Sequence, residues 1–86
     1  VIFEKFVSFK EANFMKTVDF KNASFIQNVN FNNATFIECA SLEGVIFNDN
    51  TTFIEANFKK APDFRGAKIE KYIDFRFESF VVVTPE

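Results

Sequence analysis

The chain has 86 residues, ten of them basic and twelve acidic, for a formal charge of −2. That length holds one domain at most, and so even a balance sets up no field that would draw the protein to nucleic acid or to an anionic membrane. Its single cysteine, Cys39, excludes an internal disulfide and a cysteine-built metal site, and the lack of histidine removes the commonest general base and metal ligand.

In chain order the large apolar residues are Phe3, Phe9, Phe14, Phe20, Phe25, Phe31, Phe36, Leu42, Phe47, Phe53, Phe58, Phe64, Ile69, Phe75 and Phe80. Their spacing alternates between six and five throughout, so the unit is eleven residues long. Written in elevens the chain begins VIFEKFVSFKE, ANFMKTVDFKN, ASFIQNVNFNN and ATFIECASLEG. Positions 3 and 9 of each unit hold the large residue. Positions 1 and 7 hold Ala or Val with few exceptions, and the residue between is mostly polar. In–out–in over three residues is strand alternation. The predicted elements are therefore triplets at 1–3, 7–9, 12–14, 18–20, 23–25 and onward in the same rhythm to 78–80. Only two or three residues separate them, too few for a helix or a hairpin. Five-and-six spacing also drifts around a 3.6-residue wheel. The chain must turn the same way after every triplet, which makes a solenoid.

Outward positions decide how many sides one coil has. Gly44 and Gly66 lie 22 residues apart and follow Asn22, all at position 11. At position 6 the series Thr17, Cys39, Ala61 and Val83 is small, whereas Phe6, Asn28, Asn50 and Tyr72 are larger. Charges alternate in sign down Lys16–Glu38–Lys60 and Lys21–Glu43–Arg65. Strands ~4.8 Å apart would make these cross-strand pairs of opposite charge. The prediction is an all-β, four-sided tube of about four 22-residue coils, ~19 Å tall. Residues 1–80 form the solenoid and 81–86 a C-terminal tail or cap. The core slots are Phe14, Phe20, Phe25, Phe31, Phe36, Leu42, Phe47, Phe53, Phe58 and Phe64. The register already runs at Val1, without Met, which predicts a segment of a longer array or a processed product.

"ANFKK", "PDFRG" and "ASFIQ" fit the motif of the pentapeptide-repeat proteins: a small residue, a polar one, Phe or Leu, then two polar positions. The resemblance covers Val1 to about Phe80 and implies a right-handed quadrilateral β-helix. The extra residue at position 6 of each eleven departs from the usual pattern, and resembles a variant branch in which five- and six-residue units alternate. Some members of that family are acidic rods that resemble duplex DNA and bind type II topoisomerases.

Candidate chemistry is sparse. Asp19 and Asp63 share position 8 with Ser41 between them, about 9–10 Å apart on two coils. A convex wall offers no cleft for acid–base work, so a solvated face is the expectation. Cys39 reads as a small corner residue rather than a reactive thiol. Asn28 and Asn50 would stack as a short amide ladder. Residues 59–76 are net positive but lack exposed aromatic stacking partners apart from Tyr72 and Phe77. Met15 and Ile37, beside Thr17 and Cys39, make a small apolar strip; Ile26, Ile2 and Ile46 also point outward.

These features predict a non-enzymatic β-solenoid scaffold or protein–protein interaction module, with a DNA-mimic modulator of a type II topoisomerase as the alternative. No cofactor or metal is expected, and a protein partner is. No apolar run approaches the roughly 20 residues of a membrane span and no signal-peptide layout opens the chain, so the expected location is cytoplasmic. At the C-terminal end, Phe77, Phe80, Val81, Val82 and Val83 make a candidate interface for a homodimer, with a cap over the last layer as the other reading.

Overall fold

The computed structural model describes residues 1–76 and 79–80. It contains fourteen strands of two residues each: β1 Ile2–Phe3, β2 Val7–Ser8, β3 Asn13–Phe14, β4 Val18–Asp19, β5 Ser24–Phe25, β6 Val29–Asn30, β7 Thr35–Phe36, β8 Ala40–Ser41, β9 Ile46–Phe47, β10 Thr51–Thr52, β11 Asn57–Phe58, β12 Lys68–Ile69, β13 Ile73–Asp74 and β14 Ser79–Phe80. All pairing is parallel and joins residue n to n+22, as in Phe3↔Phe25, Val29↔Thr51 and Phe36↔Phe58. Four faces result. The first stacks β1, β5, β9 and β12; the second β2, β6, β10 and β13; the third β3, β7, β11 and β14; the fourth β4 and β8.

Among the described residues the fourth face has the fewest strands. Its third rung is a single bridge, Ser41↔Asp63. That rung is made by Leu42 N–H to Asp63 O at 2.7 Å and Asp63 N–H to Ala40 O at 2.9 Å. Pro62 stands in the column of Val18 and Ala40 and, lacking an N–H, has none to give to a further coil. On the second face the same position does donate, from Val29 to Asn50 at 3.1 Å and from Thr51 to Tyr72 at 2.9 Å.

Two kinds of corner join the faces. The two-residue corner is a β-turn closed from position 9 to the next position 1, as in Ala12 N–H to Phe9 O at 3.0 Å and Ala34 N–H to Phe31 O at 3.1 Å. Its third residue is left-handed at every such corner among the described residues: Glu11 (φ 62°), Asn22 (61°), Asn33 (61°), Gly44 (70°), Glu55 (58°) and Gly66 (72°). Positive φ at that place alone is the type II turn. The Asn22–Gly44–Gly66 series thus marks one corner column, but left-handedness itself recurs every eleven residues and does not distinguish two sides from four. The strand register and the ion pairs make that distinction.

Gly44 is required for a second reason. A Cβ there would lie 2.2 Å from Asn22 Oδ1, so the asparagine below occupies the space a side chain would need.

The interior is one apolar column. Phe25, Phe31, Phe36, Leu42, Phe47, Phe53 and Phe58 are buried, with Ala23, Val29, Ala34, Ala40, Val45, Thr51 and Ala56 filling the small slots. Phe14, Phe20 and Phe64 are half-buried and pack against this cluster. Three of the four slots stack ring on ring: Phe3–Phe25–Phe47 at 4.7 and 5.6 Å, Phe9–Phe31–Phe53–Phe75 at 5.1, 4.6 and 5.3 Å, and Phe14–Phe36–Phe58 at 4.8 and 4.6 Å. The fourth does not. Leu42 separates Phe20 from Phe64, and these rings turn edge-on to other columns, Phe20 to Phe9 at 63° and Phe64 to Phe53 at 84°. Edge-to-face contact is as acceptable to an aromatic quadrupole as offset stacking.

Candidate functional site

With the interior filled by hydrocarbon, the outer walls and the ends of the tube are what remain for function. Position 8 is polar because it folds the corner after it. Ser8 Oγ accepts the Lys10 N–H at 3.3 Å, Asp19 Oδ1 the Lys21 N–H at 2.9 Å, Asn30 Oδ1 the Asn32 N–H at 2.7 Å, and Asp63 Oδ1 the Arg65 N–H at 3.0 Å. These are Asx and Ser turns, a local substitute for a backbone turn. The carboxylates of Asp19 and Asp63 are therefore occupied in shaping corners. Asp63 also holds the Arg65 guanidinium in a two-pronged pair at 2.8 and 3.0 Å, and Asp74 holds Arg76 in the same way at 2.7 and 3.1 Å.

Those pairs set the proton affinities. The Arg65 side chain, helped by its own N–H, holds the Asp63 carboxyl below its ordinary value, and Arg76 does so for Asp74. A depressed carboxyl stabilises the fold at all pH values above the ordinary aspartate range, and loses that contribution as pH falls through the lowered value. Urea midpoints are thus expected to stay level from about pH 7 to about pH 5 and to fall below about pH 4, less steeply when Asp63→Asn and Asp74→Asn are combined.

Charge columns knit coil to coil. Lys60 meets Glu38 at 2.9 Å, Glu43 sits between Lys21 at 3.8 Å and Arg65 at 4.0 Å, and Lys71 meets Asp49 at 3.6 Å. The Glu38 hydrogen bond raises the Lys60 ammonium above its ordinary value. Exposed pairs of this kind contribute little stability and are screened by salt. Asn28 and Asn50 do not share an amide ladder. With its nitrogen turned toward Asp49, the Asn28 amide lies 3.2 and 3.3 Å from that carboxylate, so the charge in the next coil outcompetes a neutral neighbour. The asparagine that does bridge coils is Asn32, whose Oδ1 accepts the Ile54 N–H at 2.9 Å.

The structure thus has two-residue parallel strands in 22-residue coils, with a small–polar–large triplet on each side whose first and third residues face inward. The family model for pentapeptide repeats, nine copies, matches residues 9–57, more than half of the chain. The chain belongs to the pentapeptide-repeat family. Neither the curated proteins nor the solved structures gave a match. The matched pentapeptide repeats include every fully buried ring except Phe58.

On this pentapeptide-repeat frame the chemistry-bearing residues are scattered rather than gathered. Among the described residues no group of three or more Cys, Asp or Glu is placed to hold a metal ion, and no helix is long and apolar enough to cross a membrane. Cys39 is exposed at a three-residue corner. Met15 is exposed and Ile37 half-buried in the same column. The candidate C-terminal interface lies outside the described residues for Phe77, Val81, Val82 and Val83. Of Phe80 only the backbone is described, paired in β14 with Phe58. The corner-forming role of position 8 was missed from sequence, although its restriction to Ser, Asp, Asn and Thr was the available signal.

Proposed function

We propose that this pentapeptide-repeat solenoid is a non-enzymatic scaffold or protein–protein interaction module. The observation that carries the reading is the state of its polar side chains. The carboxylates with shifted affinities are held by arginines two residues away, and Ser8, Asp19, Asn30 and Asp63 at position 8 hold corner N–H groups. What such a wall offers a partner is shape, a fixed pattern of charge, and a few exposed apolar side chains on a rigid support.

The alternative, a DNA-mimic modulator of a type II topoisomerase, calls for a continuous negative face. Columns in which Glu38, Glu43 and Asp49 each face a lysine or arginine of the next coil favour the scaffold. A supercoiling assay with a bacterial gyrase tests the choice. The scaffold reading expects no effect at micromolar protein, and dose-dependent inhibition by the folded protein would replace it with the DNA-mimic reading.

A further inference from the structure

The four faces differ in one respect that the repeat itself does not require. Outward residues of the second face are Ser8, Asn30, Thr52 and Asp74, those of the fourth are Asp19, Ser41 and Asp63, and the described ones of the third are Asn13, Thr35 and Asn57. All are polar. The first face instead presents Ile2, Ser24, Ile46 and Lys68. Ile26 stands beside it in the second coil. Ile2 and Ile26 are 65% and 41% exposed, which leaves an apolar strip over the first three coils of a single wall.

We infer that this wall is where a second copy of the chain docks, with the two tubes antiparallel and the twofold axis running along the strands at the level of β5. The inference rests on the interaction-module reading and names its partner. Charge and apolar matching select that register. A twofold axis along the strands keeps each column opposite itself and reverses the order of coils. Centred on the second coil, it sets Ile2 against the partner's Ile46, Ile26 against the partner's Ile26, and Ser24 against the partner's Ser24. The corner column Lys5–Gln27–Asp49 then places Lys5 opposite the partner's Asp49, twice by symmetry, in complementary charge, as a second cation on a carboxylate that Lys71 already meets from within its own chain. Moving the axis up by half a coil spacing would bring Ile2 against the partner's Lys68, Glu4 against the partner's Glu70 and Lys5 against the partner's Lys71. Each of those juxtapositions is unfavourable.

Three coils of one wall offer much less than the ~800 Å² per partner of a standard interface, so the dimer is weak and reversible. Sedimentation velocity from about 10 μM to about 1 mM, a range that brackets such affinities, tests it. Wild-type protein is expected to pass from monomer to dimer, and Ile26→Lys to remain monomeric with unchanged thermal unfolding. Lys5→Glu should weaken the dimer roughly tenfold, and Lys5→Glu combined with Asp49→Lys and Lys71→Glu, which keeps the pair between the third and fourth coils, should restore it. A monomer at every concentration overturns the proposal while leaving the interaction-module reading in place. So does a dimer indifferent to Ile26→Lys, or a charge swap that fails to rescue. A dimer lost in Val82→Lys but kept in Ile26→Lys would move the contact to the C-terminal end.

Discussion

Phe36→Ala is expected to destabilise the protein by about 3–5 kcal/mol, whereas Phe6→Ala should cost less than about 1.5 kcal/mol. Phe36 is 1% exposed and lies between two parallel rings, Phe14 at 4.8 Å and Phe58 at 4.6 Å. Removing it leaves a cavity floored and roofed by aromatic faces. Neither neighbour can drop into it without leaving its own strand, so the relaxation that softens many core deletions is blocked. Phe6 is the same residue type three residues past its slot, at a corner, and 56% exposed. Urea denaturation of the two variants measures the difference. Comparable losses would mean that ring position within the column does not matter.

The second large effect concerns the small slots. Ala34→Leu is expected to cost about 3 kcal/mol, the upper end for overpacking, because Ala34 is 0% exposed. Its column neighbours Ala12 and Ala56 are alanines too, which leaves no pocket above or below for three more carbons. The substitution Thr35→Leu one residue later adds a large apolar side chain on the outer wall and should change stability by less than about 0.5 kcal/mol. A shift of similar size in the two chemical-denaturation midpoints would show that the small slots are not what limits the width of the tube.

Much of this was legible because the sequence states its own period. The alternation of six and five between phenylalanines, the triplets around them and the sign changes along Lys21–Glu43–Arg65 lead to four sides of two-residue strands. Less legible were the features that depend on backbone conformation. Glu11 and Glu55 adopt a left-handed φ that their side chains do not favour, and only the chain closure of the turn imposes it. Likewise, a polar residue at position 8 looks like solvation until the N–H two residues on is seen to need an acceptor. Leu42 passed as an equivalent of Phe because both are large and apolar. Its effect on ring orientation is a property of shape, which hydrophobic pattern does not encode. Pro62 carried its own signal, a missing donor in a ladder position, yet sits in a triplet that otherwise fits the repeat.

Because the inward pattern repeats every eleven residues while the coil closes every 22, the interior and the exterior keep different memories of chain length. Loss of one eleven-residue unit would carry every later residue half a turn around the tube. A phenylalanine would still arrive over a phenylalanine or leucine slot, and the core would scarcely register the event. The surface would: Lys60 would leave Glu38 and stand in the column of Gln27, and Ile46 would pass from the apolar wall to a polar one. Such an array can therefore gain or lose material cheaply in inheritance and still fold. Only changes by whole coils keep the pattern of its outward face.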